Sequence, residues 1–275
     1  MQRSSNTFKK RAQNRSYDEL RPLKVTYNVY PYAAGSTLFE MGNTKVLSSV
    51  TLQQGVPHFL RGKKMGWLTA EYSLLPASTP MRTVRDITIN KRSGRTIEIS
   101  RLIGRSLRSI INFNVLGEQT IFIDCDVLQA DGGTRTASIT GAFLALKSAQ
   151  DLWKSKGIIK QPFIIDELAA ISVGLSDETP LLDMDFAEDT MIDADFNFVL
   201  TRSGKIVEIQ GSAEKHPISW DCYNHIQELA CKGSRKLFEF FDEASCNVFH
   251  HSSENFMLEN DIVQERNFSY QEFAD

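Results

Sequence analysis

Two short segments of this 275-residue chain carry residue types suited to phosphate chemistry. The first runs Asp131-Gly-Gly-Thr-Arg-Thr-Ala-Ser-Ile-Thr-Gly141. Paired glycines let a ligand come close to the backbone, and unpaired N–H groups at a helix start attract an anion. Thr134, Arg135 and Thr136 add hydroxyl and guanidinium donors. The segment lacks the length and the Lys-Ser/Thr ending of a Walker loop. A plain glycine turn with a surface arginine would read the same way locally. The second segment is acidic: Ser176 to Asp195 holds eight carboxylates and no Lys or Arg, with Phe186, Met191 and Ile192 set among them. By strand alternation Asp193 and Asp195 share a face.

Charge extends this contrast over the whole chain. The net charge is only −3, from 31 Lys and Arg against 34 Asp and Glu. Yet Pro57 to Ile110 carries eleven cations against Glu71, Asp86 and Glu98, and His251 to Asp275 carries six acids with only Arg266. A basic surface facing an acidic cluster suits a polyanion whose scissile end is handled by carboxylates.

The elements that must position these groups follow from periodicity. Thr120 to Leu128 alternates, with Ile121, Ile123, Cys125 and Val127 on one face, which predicts a strand leading into the glycine pair. A helix is predicted over 136–153. Another is predicted over 96–112, with Ile99, Leu102, Ile103, Leu107 and Ile110 as its apolar stripe and Arg101, Arg105 and Arg108 opposite. Residues 79–92 read as an exposed basic loop. Later runs predict two hairpins, 170–174 with 180–186 and 195–200 with 205–210, and then a helix N-capped by Ser219. Cys125 on the apolar face reads as a small buried thiol, Trp67 and Tyr72 as core, and no cysteine or histidine spacing suggests zinc. No apolar run is long enough to span a membrane. The N-terminus lacks a secretory h-region, so a reduced cytoplasmic protein is expected.

The run Leu128-Gln-Ala-Asp-Gly-Gly-Thr-Arg-Thr-Ala-Ser-Ile-Thr-Gly-Ala-Phe143 resembles the signature of the ribonuclease PH family of phosphorolytic 3′→5′ exoribonucleases. Four further blocks match in the family's order: Ala34 to Leu47, Gly55 to Tyr72, Ser93 to Arg108, and Asp183 to Asp189 with Glu208 to Glu214. The resemblance implies phosphate binding by Arg95, Gly133, Thr134 and Arg135. It implies catalysis by Asp189 and Asp195, six residues apart, as a general acid or as ligands of Mg²⁺. Arg82 and Arg85 match positions that contact tRNA, although Ala77 and Pro80 replace residues usual in that loop. Arg101, Arg105 and Arg108 could line an RNA path or a subunit contact, and Asp193 is a weaker candidate for the site.

The implied fold is α+β, an N-terminal unit like domain 2 of ribosomal protein S5 followed by a smaller C-terminal β/α unit. The expected divisions are a basic flexible arm at 1–20, the first domain at 21–153, a connection at 154–168, the second domain at 169–244 and an acidic tail at 245–275. The implied activity removes nucleotides beyond the CCA end of precursor tRNA and trims rRNA. Inorganic phosphate is the co-substrate, nucleoside 5′-diphosphates are released reversibly, and the assembly is a homohexamer, a trimer of dimers. An inert RNA-binding ring subunit and a hydrolytic Mg²⁺ nuclease are the rival readings. The first would release nothing, and the second would release monophosphates.

Overall fold

A computed structural model describes residues 11, 14–85 and 92–255 of the chain. It divides into two units, Met1–Phe238 and Glu239–Asp275. The first contains two sheets. Strands β1 (Leu23–Tyr27), β2 (Gly35–Met41), β3 (Thr44–Gln54), β4 (Trp67–Leu74) and β5 (Gln119–Gln129) form a five-stranded sheet in the order β1-β2-β3-β5-β4. Only β4 and β5 pair in parallel, and helix α1 (Gly94–Arg108) lies in the crossover between them. Strands β6 (Leu168–Ser176), β7 (Thr179–Leu182), β8 (Ala194–Thr201) and β9 (Ile206–Ala213) form an antiparallel sheet in the order β7-β6-β8-β9. Helix α2 (Thr134–Ser155) packs against both sheets. A single turn, α3 (Phe186–Asp189), follows β7, and α4 (Trp220–Asn255) closes the described chain.

The alternation expected in β5 is present. Ile121, Ile123, Cys125 and Val127 are all buried under α2, and burial pushes the Cys125 thiol up to about 12, so it stays protonated. α2 itself has little amphipathic character because it is covered on both sides. Thr140 lies between it and β6, where its hydroxyl accepts from the Ala170 N–H at 3.2 Å. Gly35 permits the close approach of β2: a side chain there would meet the Ala145 carbonyl oxygen at 2.1 Å.

Several boundaries depart from expectation, each for a local reason. α1 starts at Gly94 because Ser93 caps it, accepting from Thr96 N at 3.0 Å, and it stops at Arg108 rather than 112. The chain beyond turns to pair with another segment, as Ile165 N donates to Ile110 O and Asn112 N to Phe163 O. The first late hairpin forms across Asp177-Glu178, both with positive φ, but its second strand ends at Leu182 rather than 186. Asp183 takes a left-handed φ of 53°, and Asp185 then starts α3 with a capping box to Glu188. Ser219 caps α4 as expected, accepting from Cys222 N. That helix continues past 245, into the segment expected as an acidic tail. Residues 256–275 lie outside the described residues, as does Lys91 of the basic loop. The expected flexible arm is corrected where it is described. Arg11 and Arg15 are buried against the acidic segment, because their guanidiniums satisfy its carboxylate and carbonyl oxygens.

One buried ion pair joins the two acid- and glycine-bearing segments. Arg21 donates from Nη2 to Asp183 Oδ1 at 2.6 Å and from Nε to Oδ2 at 3.1 Å, and its backbone N–H reaches Oδ2 at 2.8 Å. The same guanidinium donates from Nη1 to the Asp131 carbonyl at 2.5 Å. Asp183 has no solvent exposure. Removing one partner of such a pair leaves an uncompensated buried charge. Asp183→Ala should therefore cost about 3–5 kcal/mol of stability, read from the urea unfolding midpoint at unchanged slope. A cost below about 1 kcal/mol would show the pair to be dispensable.

Candidate active site

The glycine pair does what its position after β5 suggested. Gly132 and Gly133 have φ of 75° and 63°, and a side chain on Gly132 would meet the Met184 carbonyl at 2.5 Å. Only glycine lets this loop lie so close to the acidic segment. Gly133 is also the N-cap residue of α2 and supplies no side-chain acceptor. The first N–H groups of α2 therefore keep their anion-attracting character. Thr134 opens the helix and is buried, its hydroxyl accepting from Tyr72 Oη at 3.1 Å. Tyr72 is core, as expected, and it also braces the start of the loop.

A cavity of about 530 Å³ opens in front of this helix end. Arg95, Gly133, Thr134 and Arg135 line it together with Asp189 and Asp195. The six residues singled out from the sequence thus come from four elements and share one cavity. Arg95 projects from the first turn of α1 rather than preceding the helix. Asp189 ends α3, and Asp195 is the second residue of β8. Arg135 makes a 3.6 Å ion pair with Glu98, yet its Nε is buried with no hydrogen-bond partner among the described residues. A buried donor left unpaired costs free energy unless a ligand completes it. The Ser172 hydroxyl in the same wall is equally unpartnered.

The carboxylates are held in an environment that disfavours their charge. Burial raises Asp195 from the ordinary 3.8 to about 6, and the neighbouring Asp189 charge adds to this, while Arg135 and a hydrogen bond from Asn197 oppose it. The Asn197 amide donates to Asp195 Oδ2 at 3.1 Å. Asp189 is also raised, by loss of hydration and then by Glu214, against Arg135 and Arg95. Among the described residues no group of three or more acids, histidines or cysteines forms a metal cage. Two carboxylates alone still fit Mg²⁺, which keeps several waters and takes substrate phosphate oxygens. Asp189 and Asp195, each within electrostatic reach of Glu214, are the residues that would hold it.

Other candidates lie elsewhere. Arg82 and Arg85 are exposed and do not line the cavity. Asp193 precedes β8 and leaves the site altogether. It bonds Lys215 Nζ at 3.0 Å and accepts from Asp177 N at 2.9 Å, so the shared face expected with Asp195 does not form. The arginines of α1 separate: Arg105 pairs with Glu208 at 2.6 Å, Arg108 covers the Trp67 ring at 4.7 Å, and Arg101 is exposed. Sequence reading passed over Glu98, Ser172, Asn197, Gln210 and Glu214 as site residues. Register explains three of them, since Ser172, Asn197 and Gln210 stand opposite one another on β6, β8 and β9. Polar residues at period two within otherwise apolar strands were the available signal.

Comparison with known proteins gives a consistent result. Residues 19–150 match the model of the 3′ exoribonuclease family, domain 1, and residues 166–233 match domain 2 of the same family. Ribonuclease PH of Neisseria meningitidis serogroup B is 52% identical over 226 residues, covering 82% of this chain and 93% of that protein. Ribonuclease PH of Syntrophomonas wolfei is 50% identical over 227 residues, covering 82% and 95%. Among solved structures, rice Rrp46 is similar with a TM-score of 0.68 at 20% identity, covering 84% of this chain and 97% of that one. An Archaeoglobus fulgidus exosome with RNA bound to its active site gives 0.72 at 21%, covering 84% and 92%.

The raised Asp195 value has a thermodynamic consequence. The folded carboxyl holds its proton up to about pH 6 while the unfolded one releases it near 3.8, so folding takes up a proton between these values and stability falls as pH rises through them. Asp195→Asn removes this penalty. In protein freed of divalent cations it should be more stable than the natural chain by about 2–3 kcal/mol above pH 7 and about equal to it below pH 3.5, in urea titrations at each pH. A difference independent of pH would show Asp195 to be ordinary.

Proposed function

The chain belongs to the ribonuclease PH family of phosphate-dependent 3′→5′ exoribonucleases, and from that membership we propose that it trims the 3′ extensions of precursor tRNA beyond the CCA end, and rRNA ends likewise. The observation that carries the assignment of the site is the buried, unpartnered Nε of Arg135 at the uncapped start of α2, in a residue that shares one cavity with two carboxylates of raised pKa. Inorganic phosphate fits the donors and the scissile end of RNA fits the carboxylates. Phosphate is already an anionic nucleophile, so positioning and charge neutralisation dominate and no strong base is needed.

In this reading Arg95 and Arg135, with the N–H groups following Gly133 and the Thr134 position, hold phosphate in line with the last phosphodiester. A phosphate oxygen bonds to phosphorus, the bond from phosphorus to the preceding ribose O3′ breaks, and the terminal nucleotide leaves as its 5′-diphosphate. The O3′ alkoxide must gain a proton. Asp195, protonated up to about pH 6, can hold one at that position. Asp189 and Asp195 would also be the residues to hold Mg²⁺, a cation that would supply charge neutralisation at the scissile phosphate. The same groups serve the reverse addition of nucleotides to a 3′ end. Arg82 and Arg85, exposed away from the cavity, suit the body of a tRNA, and each phosphate they contact steepens the salt dependence of binding. A homohexamer is the assembly we propose.

Incubated with a tRNA bearing extra 3′ nucleotides and Mg²⁺, the protein should release nucleoside diphosphates only when inorganic phosphate is present. Monophosphates would indicate hydrolysis, and bound but intact RNA would indicate an inert ring subunit. Arg135→Ala should lower the phosphorolytic rate about a hundredfold or more, by analogy with the loss of an oxyanion donor, while the protein remains folded. A rate near that of the natural chain would place phosphate elsewhere.

A further inference from the structure

Residues 11 to 21 carry three buried arginines, and two of them have no place in the reaction described above. Arg11 donates from Nε to Glu188 Oε1 at 2.7 Å and from Nη2 to Glu188 Oε2 at 3.0 Å, a bidentate pair. Its Nη2 also reaches the Leu182 carbonyl at 2.7 Å, and its Nη1 reaches the Ser16 carbonyl at 2.8 Å. Arg15 donates from Nη2 to Glu188 Oε2 at 3.2 Å and from Nη1 to the Asp183 carbonyl at 2.9 Å. Both arginines and Glu188 are nearly inaccessible to solvent. The N-terminal segment is thus bolted, over more than 160 residues of sequence, to the four residues of α3 and the turn before it.

The position of Glu188 gives this contact a consequence. It is the residue before Asp189, and its carboxylate also accepts from the Asp185 N–H at 3.1 Å in the capping box that starts α3. A helix of four residues has no stability of its own, since nucleation costs more than so few hydrogen bonds return. Phe186, the first residue of α3, and Met191 beyond it are exposed, so the turn itself buries little apolar surface, although Met184 and Ile192 on either side of it pack together in a buried cluster. The position of Asp189 at the end of α3 therefore depends on Glu188, and the two guanidiniums together with the capping box hold Glu188 in place. A single carboxylate facing two arginines suits a geometric role better than a stabilising one, because Arg15 meets repulsion from Arg11 and keeps a buried, unpartnered Nε.

We propose that Arg11 and Arg15 are positioning residues for phosphorolysis, acting through Glu188 to hold Asp189 at the cavity. This rests on the assignment of Asp189 to the reaction. Arg11 reaches none of the residues that hold phosphate, so its loss should act on the chemical step and leave phosphate binding alone. Displacement of a reacting group by about 1 Å costs up to about a hundredfold in rate.

The test is steady-state phosphorolysis by the full chain with varied inorganic phosphate, beside thermal unfolding of each variant. Arg11→Met should lower kcat about tenfold or more with KM for phosphate within about twofold, and Arg11→Lys, which keeps the charge but cannot span Glu188 and the Leu182 carbonyl together, should recover part of the loss. A folded Arg11→Met with kcat within about twofold of the natural chain overturns the proposal, as does a rise in KM for phosphate that matches the fall in kcat. If Arg11→Met does not fold, Glu188→Gln is read by the same criteria. Absence of phosphorolysis by the natural chain would instead overturn the functional reading itself.

Discussion

The structure turns on the buried pair between Arg21 and Asp183. Arg21 stands just before β1 and Asp183 just after β7, so the contact ties the start of the first sheet to the second. Because the same guanidinium also binds the Asp131 carbonyl, the glycine loop and the acidic segment are held to one another rather than to solvent. Asp183 pays for a left-handed backbone with these three hydrogen bonds, and Gly132 admits the approach by having no side chain. Residues of both segments line the cavity, together with residues of α1, β6, β8 and β9.

Around that constraint the charges are sorted by burial. Asp183, Asp185 and Glu188 are spent on structure, facing Arg21, the N–H that starts α3, and Arg11 with Arg15. Asp189 and Asp195 have no direct salt bridge of this kind among the described residues, and the pKa of each is raised, chiefly by burial. Arg135 shows the same division within one side chain, pairing with Glu98 on one edge while its Nε has no partner among the described residues. Side chains of both signs, Arg95 and Arg135 with Asp189 and Asp195, therefore line the same cavity. That is how a site for a nucleophilic anion and a scissile phosphodiester can be built without either charge collapsing onto the other.

Much of this was legible from residue order. The glycine pair announced a strand-to-helix turn because two positive φ values at a helix start leave few other residues possible, and β5 announced itself through the alternation from Ile121 to Val127. Matching blocks along the chain tied Arg95, Arg135, Asp189 and Asp195 to one family, which the comparisons support for the chain as a whole. The acidic segment was less legible. Eight carboxylates in twenty residues look alike in a sequence, and nothing local distinguishes Asp193, which bonds Lys215, from Asp195, which faces the cavity.

What the sequence determined by itself was local: periodicity, turn chemistry and the residue types able to bind phosphate, because these depend on neighbours within a few positions. What only the tertiary structure decided was partnership. Arg11 finds Glu188 across 177 positions and Arg21 finds Asp183 across 162, and these long-range choices are what make some charges structural and leave others for the site. The cause is that a buried ion must be matched wherever the fold happens to bring it, and that place is set by the packing of α2 between two sheets rather than by any spacing along the chain.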